Sequence, residues 1–196
     1  AGTWSTIDIV AEAGAPPPTA VTVDAAGEPW IGSMLDGIAA RRAGAWTWVR
    51  TDLGIPSFTG LSVAVDRSDH PWAGAAWADS VERGGGGVAY LARYDPGKWS
   101  RYGTRDIPGL DPGQLGIEDN GLDADALGNL WIAIPASGVG RYDGTTWVTW
   151  PMTDVLGSAV FSVEIAADGR GGAWVAGYGA AHLVGGTWRR YSTADG

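Results

Sequence analysis

The sequence predicts an all-β protein built from four repeated units, and three observations support this fold class. Glycine interrupts nearly every ten-residue window of the 196-residue chain, which holds 32 glycines and 11 prolines, so long helices are disfavoured. The chain is nevertheless 45% hydrophobic and contains 12 tryptophans, enough for a packed core. An aspartate followed six residues later by a tryptophan recurs four times along the chain.

The four matches share one internal spacing. Glycine lies midway between the aspartate and the tryptophan in three of them, and Asp69 takes its place in the second. A second element follows each match, in which Arg or His precedes another tryptophan by six residues. The first pairs are Asp24 and Trp30, Asp66 and Trp72, Asp125 and Trp131, and Asp168 and Trp174; the second are Arg42 and Trp48, Arg93 and Trp99, Arg141 and Trp147, and His182 and Trp188.

Each unit reads as four short strands. An apolar strand ends at the aspartate, a tight turn follows, a second strand begins at the tryptophan, and two further strands flank a second glycine turn. Four strands in a period of ~40–45 residues are typical of a propeller blade. We therefore predict one β-propeller domain over residues 1–196. The four aspartates and four tryptophans of the first element are expected to have structural roles, with these tryptophans buried between blades. The repeats are expected at 21–51, 61–103, 120–151 and 161–193.

These motifs resemble a known family. The Asp-x-x-Gly-x-x-Trp unit, and Gly-Val-x-Arg-Tyr-Asp-Gly-x-x-Trp over 138–147, resemble the propeller repeat of two-component regulators and cover residues 20–193. The repeat is also similar to that of streptogramin-lyase-type propellers. The first resemblance implies a sensor domain in an extracytoplasmic location, either periplasmic or secreted.

The beginning of the chain carries one more signal. Residues 2–6 match residues 186–190, which predicts an isolated fourth strand over 2–10. Three interpretations stay open: part of a larger propeller, a four-bladed ring with a surplus strand, or a homo-oligomer formed by strand exchange.

Charge and composition narrow the partners and the chemistry. The net charge of −9 disfavours nucleic acid, and no apolar stretch reaches the ~20 residues that membrane insertion requires. Cysteine is absent, which excludes thiolate sites. The two histidines, His70 and His182, occupy repeat positions, so we expect no catalytic residue and no cofactor. A weak Ca²⁺ candidate remains at Asp119 and Asp123.

The remaining candidates lie in loops that a propeller gathers on one face. Trp77 departs from the repeat among carboxylates and an arginine, which suits stacking on a sugar ring or capture of a small polar ligand; extension of a hairpin is the alternative. The sequence thus favours a non-catalytic module that recognises a glycan, peptide or protein, ahead of a self-assembly unit and, third, a lyase-like enzyme. The candidate ligand-binding residues are Asp36, Trp77, Asp79, Glu82, Arg83, Trp150 and Tyr178.

Overall fold

Sixteen short strands and two single-turn helices make up the described part of the protein. The structure is a computed structural model that describes residues 4, 6–14, 17–33, 37–49, 60–76, 90–102, 106–110, 117 and 120–195. The helices are α1 (Ile9–Ala13) and α2 (Met152–Val155), and a 3-10 turn covers Thr193–Asp195. None of the helices in these ranges is long and apolar enough to cross a membrane.

The strands form four separate four-stranded sheets. Sheet 1 contains β1 (Ala20–Val23), β2 (Pro29–Ser33), β3 (Gly37–Arg42) and β4 (Ala45–Val49); sheet 2 contains β5 (Gly60–Val65), β6 (Pro71–Ala76), β7 (Tyr90–Asp95) and β8 (Lys98–Tyr102). Sheet 3 contains β9 (Leu122–Ala124), β10 (Leu130–Ile134), β11 (Gly138–Tyr142) and β12 (Trp147–Pro151); sheet 4 contains β13 (Glu164–Ala167), β14 (Ala173–Ala176), β15 (Ala180–Val184) and β16 (Thr187–Tyr191).

Each sheet is an antiparallel meander in which chain order equals spatial order. The first strands of neighbouring sheets lie against one another, β1 on β5, β5 on β9 and β9 on β13. The sheets are therefore arranged around a common centre with their first strands innermost. This confirms the predicted all-β, blade-like architecture with almost no helix among the described residues.

The position midway between the repeat aspartate and tryptophan requires a left-handed backbone. Its φ is +78° at Gly27, +93° at Gly128 and +86° at Gly171. Asp69 adopts +58° at the same position in sheet 2. Glycine reaches this region without a steric penalty and aspartate tolerates it better than most residues, which explains the one exception to the pattern.

The hydrophobic core lies in layers between neighbouring sheets, and each layer has the same pattern of contacts. The repeat tryptophan of one sheet packs on the residues three and one before the repeat aspartate of the next sheet. Trp30 lies in a cluster with Val63 and Val65. Trp72 lies with Leu122 and Ala124, and Trp131 with Ile165 and Ala167. Apolar burial between neighbouring sheets thus holds the row together.

The second set of tryptophans is equivalent in three sheets and shifted in one. Trp99, Trp147 and Trp188 pair across the outer hairpin with Tyr94, Tyr142 and Leu183. In sheet 1 the corresponding residue, opposite Arg41, is Trp46 and not the expected Trp48. The hairpin turns through two residues, Ala43 and Gly44, which both have positive φ. This turn comes earlier in the chain than the Arg42-to-Trp48 spacing predicts, so Trp46 takes the position expected for Trp48.

The structure corrects the expected burial of Trp174. Trp30, Trp72 and Trp131 are 5%, 1% and 0% exposed, as predicted, whereas Trp174 is 42% exposed. Its face of sheet 4 has no following sheet packed on it among the described residues. The indole instead stacks on His182 of its own sheet, with ring centroids 4.1 Å apart.

The expected strand over residues 2–10 is also corrected. Ile9 and Val10 belong to α1, and Trp4 is fully exposed outside any strand. Asp8 caps the helix by accepting the Ala11 N–H at 3.0 Å, and Gly14 ends it at φ +66°. Local capping therefore overrides the β-branched pattern that predicted a strand.

Candidate functional site

The repeat aspartates form buried or half-buried hydrogen-bonded nodes. In each turn, one carboxylate oxygen accepts the backbone N–H groups two and four residues later, at 2.7–3.0 Å. The second oxygen accepts the indole N–H of Trp30, Trp72 and Trp131 at 3.2, 3.0 and 3.1 Å in sheets 1–3. These aspartates tie the turn to the tryptophan, as their structural assignment predicts.

A cation from the third strand lies over each of these indoles. The guanidinium carbon of Arg42 is 5.0 Å from the Trp30 ring centroid, and those of Arg93 and Arg141 lie 5.6 and 5.7 Å from Trp72 and Trp131. Arg42 also forms an ion pair with Asp24 at 2.6 Å. Burial raises the pKa of Asp24, but the Glu28 and Trp30 donors and the charge of Arg42 outweigh it and leave that pKa below 3.8.

Sheet 4 varies this arrangement. His182 replaces the arginine, and its Nε2 lies 2.9 Å from Asp168 Oδ2, the oxygen that accepts the indole in the other sheets. Burial raises the pKa of Asp168, yet the bond from His182 and those from Arg170 and Gly172 lower it more, so the net pKa is depressed. Asp168 thus holds His182 flat against Trp174.

The other histidine is similarly engaged. His70 Nδ1 lies 3.5 Å from Asp66, and Nε2 lies 3.4 Å from Asp95. His70 and His182 belong to sheets 2 and 4, which do not neighbour each other in the row. Each therefore contacts a carboxylate of its own sheet, and neither faces the other as an acid–base pair would.

A concave groove follows the innermost strands. It has a volume of about 390 Å³ and is lined by residues of β1, β5, β9, β13 and β14, among them Ser62, Asn120, Asp123, Glu164 and Trp174. Within it, Asp123 accepts the Ala167 N–H at 2.7 Å and the Ala124 N–H at 2.8 Å, which joins sheet 3 to sheet 4. Burial raises the pKa of Asp123 in spite of these bonds.

A second groove opens beside it at the loop end of sheet 4. We call it the aromatic groove; it has a volume of about 340 Å³ and is lined by Phe161, Ser162, Val163, Glu164, Ala176, Gly177 and Tyr178. Phe161 is 68% and Tyr178 85% exposed. Phe161 precedes β13 and Tyr178 lies in the β14–β15 turn, so two connections at the same end of the sheet supply the two rings.

The close approach of these connections depends on a glycine. A Cβ at Gly177 would lie 3.0 Å from the Leu156 side chain and 3.3 Å from the Ser162 carbonyl. The turn that carries Tyr178 can therefore pack on the segment that carries Phe161. The groove is thus lined by two exposed aromatic side chains and by Glu164.

The expected ligand-binding residues that the structure describes do not lie at one site. Tyr178 lies on the predicted loop end, but Trp150 lies in β12, where its ring stacks on Trp131 at 6.0 Å and contacts Trp188 edge-on at 5.8 Å. Trp150 is thus a packing residue between sheets 3 and 4, and its expected place on a loop is wrong. Outside the described residues lie Asp36, Trp77, Asp79, Glu82 and Arg83.

Sequence reasoning did not select Phe161. The signal was present: Phe161 is one of two phenylalanines in the chain and stands in a connection of small and apolar residues, where no repeat position demands a ring. For the Ca²⁺ candidate, Asp119 lies outside the described residues and Asp123 bonds backbone donors. Over the ranges that the structure covers, no three His, Cys, Asp or Glu residues cluster as metal ligands would.

Comparison with known proteins gives structural likeness only. No protein-family model and no curated protein matches the chain. The extracellular domain of a hybrid two-component system from B. thetaiotaomicron aligns with 90% of this chain and 23% of its own, at 18% identity and a TM-score of 0.56. A structure of YCF48 bound to D1 peptide aligns with 83% of this chain and 49% of its own, at 13% identity and a TM-score of 0.50.

A third likeness is to virginiamycin B lyase from Staphylococcus aureus, over 89% of this chain and 69% of the lyase, at 12% identity and a TM-score of 0.44. The chain spans less than half the length of the first two of these proteins. At these identities the comparisons establish the fold: the protein is a β-propeller of four-stranded antiparallel blades, the sheets described above.

Proposed function

We propose that this chain is a non-catalytic binding module, extracytoplasmic in location, that takes a neutral oligosaccharide in the aromatic groove. The single observation that carries the proposal is the exposure of Phe161 and Tyr178 around a groove that also contains Glu164. Two exposed aromatic rings that line one groove can stack on the apolar face of a sugar. Glu164 supplies acceptors for the sugar hydroxyls.

Charge supports a neutral ligand over an anionic one. The chain carries −9 overall, which repels phosphate and uronate groups at low ionic strength. The likeness to an extracellular two-component domain supports the sensor role and the extracytoplasmic location. The contacts of His70 and His182 with carboxylates of their own sheets support structural roles for both.

Calorimetric titration with a panel of neutral oligosaccharides tests the proposal. Removing one stacking ring, in Tyr178→Ala or Phe161→Ala, should weaken binding about tenfold, the equivalent of ~1.4 kcal/mol. Because both rings are largely exposed, neither change should lower the melting temperature. Trp4→Ala is the matched control, since it removes a fully exposed aromatic ring elsewhere.

Two results would contradict the oligosaccharide proposal. One is binding that survives in the Phe161→Ala, Tyr178→Ala double variant, which would place the ligand elsewhere. The other is binding of peptides alone from a parallel panel, the ligand class found on YCF48.

A further inference from the structure

The spacing of the two rings in the aromatic groove depends on one short segment, the α2–β13 connection (residues 156–163). Phe161 belongs to this connection, whereas Tyr178 lies in the β14–β15 turn. That turn rests on the beginning of the same connection, because a Cβ at Gly177 would lie 3.0 Å from Leu156 Cδ1. One ring is therefore carried by the connection and the other is packed against it.

The α2–β13 connection is held at two points. Near Phe161, Val160 is buried and its carbonyl accepts the Ala136 N–H of sheet 3 at 2.7 Å. At the beginning of the connection, Leu156 and Gly157 donate their N–H groups to carbonyls of α2 at 2.8 and 3.0 Å. The first point is fixed to sheet 3, and the second follows the position of α2.

Arg190 of β16 holds α2 in place between sheets 3 and 4, where the helix packs on β11, β12 and β16. Its guanidinium donates to three carbonyls at 2.8, 2.9 and 3.1 Å, those of Thr153, Asp154 and Val155. The same guanidinium lies against Gly157, where a Cβ would be 3.5 Å from Cζ. A helix of one turn whose N-terminus has no side-chain cap is not stable alone, so these contacts orient it.

We propose that Arg190 is a positioning residue for the aromatic groove: acting through α2 and the α2–β13 connection, it fixes the spacing between the rings of Phe161 and Tyr178. The inference rests on the proposed oligosaccharide function. Arg190 is not among the residues that line the groove, so it acts without touching the ligand. A ligand that stacks on both rings binds more tightly when their spacing is preset, because the connection does not have to become ordered on binding.

Calorimetric titration of Arg190→Ala tests the proposal, with the tightest-binding member of a panel of linear gluco-, manno- and xylo-oligosaccharides as the probe. We expect Kd to rise about fivefold, at the low end for coupling between separate sites. Arg190→Lys should give an intermediate Kd, since one ammonium cannot reproduce the fork of a guanidinium. Arg189→Ala is the matched control and should leave Kd unchanged, because Arg189 lies over Tyr191 on the opposite face of β16. Titrations at a temperature where every variant gives the parent circular dichroism spectrum separate affinity from stability.

Double variants show whether Arg190 acts through the spacing of the rings. Spacing matters only when both rings are present, so Arg190→Ala should cause no further loss of affinity in a Phe161→Ala or Tyr178→Ala background. The same fivefold loss in those backgrounds would indicate a general loosening of sheet 4 and overturn the proposal. An unchanged Kd in Arg190→Ala would overturn it while leaving the oligosaccharide function intact, whereas a parent protein that binds no member of the panel would overturn both. Arg190→Lys replaces Arg190→Ala in each comparison should the alanine variant not fold.

Discussion

At the residue scale, one carboxylate in each unit fixes two structural elements. Asp125 accepts N–H groups of its own turn, the Asn129 amide at 2.7 Å and the Trp131 indole at 3.1 Å. Because the same side chain shapes the hairpin and orients the tryptophan, the turn sets the geometry of the interface with the next sheet. A buried donor or acceptor without a partner would cost ~1–3 kcal/mol, which explains why the aspartate and a side-chain donor to its second oxygen recur together.

Trp131→Ala and Trp174→Ala measure how much that interface contributes. Trp131 is fully buried, so its truncation should lower the free energy of unfolding by about 3–5 kcal/mol. Trp174 is 42% exposed, and its truncation should cost no more than about half as much. Urea unfolding of the two variants and the parent protein, followed by circular dichroism, provides the comparison. Equal losses would contradict the difference in burial.

Repeat reasoning predicts residues well where a neighbouring sheet is present. The spacing from Asp125 to Trp131 correctly predicts a buried indole bonded to the carboxylate. The same spacing from Asp168 fails to predict the exposure of Trp174, because exposure depends on what lies across the interface rather than on the unit itself. The substitution of His182 for arginine is visible in the sequence, but the transfer of the Asp168 bond to the imidazole requires coordinates.

At the scale of elements, an arginine from one sheet supports the helix that precedes that sheet. Arg190 of β16 donates to the carbonyls of Thr153, Asp154 and Val155 at 2.8, 2.9 and 3.1 Å. Carbonyls at a helix end have no partner within the helix, so a cation there satisfies them and offsets the helix dipole. The contact locks the connection between sheets 3 and 4 onto sheet 4.

Arg190→Ala should loosen that connection. We expect a loss of about 1.5 kcal/mol, at the low end for a charged hydrogen bond because the guanidinium is partly exposed. Hydrogen exchange of the Leu156 and Gly157 amides, which bond to α2 carbonyls, should accelerate. Arg189→Ala is the matched control: Arg189 lies over Tyr191 on the opposite face, so the same amides should keep their protection. Equal exchange in both variants would remove Arg190 from this role.

The elements that the sequence mispredicts are those governed by local competition. Residues 6–10 alternate as a strand would, yet the Asp8 cap and Gly14 favour a helical turn over the last part of the segment. Trp150 was expected on a loop because strand ends are poorly defined by composition; in the structure β12 extends to Pro151. Hairpin turns, by contrast, are encoded in glycine positions, and the β3–β4 turn is the exception because it places Trp46 where the spacing predicts Trp48.

At the scale of the whole molecule, titration should control stability in acid. The pKa of Asp143 is lowered to about 2 by the Thr146 and Thr145 donors, and the pKa values of Asp24, Asp168 and Asp195 are also depressed. A depressed pKa means that folding favours the ionised form. The associated stability is fully present above pH 3.8, which is the unperturbed pKa of aspartate. It is lost as the pH falls through the pKa values of the folded protein.

The melting temperature should therefore fall as pH decreases below about 4. Asp123 acts in the opposite sense: its raised pKa means that its contribution is present in acid and is lost as pH rises through its folded value. Asp168→Asn should reduce the acid-induced decrease, because one carboxylate no longer takes up a proton on unfolding. A melting temperature that stayed level or rose between pH 5 and pH 2 would show that Asp123 dominates.

The overall architecture could be predicted because its motif is repeated along the sequence. The candidate site could not be predicted in full because its residues belong to no repeat. Four copies of one motif specify four sheets. The aromatic groove depends on Phe161 and Tyr178, which have no counterparts in the repeat and meet only because the β14–β15 turn packs on the preceding connection at Gly177. Tyr178 was among the expected residues; Phe161 was recognised only from its position in space.

The layered core has a consequence for how energy is distributed along the chain. Its three apolar clusters each join one sheet to the next, so across the residues that the structure describes the packing couples each sheet to its nearest neighbours. In its energetics such a molecule behaves as a linear array of sheets rather than as a domain with one shared hydrophobic core. Changes in the first and third interfaces should combine additively, while paired changes across one interface should not. A defect at Trp30 therefore weakens the hold on sheet 1 and leaves sheets 3 and 4 bound to each other.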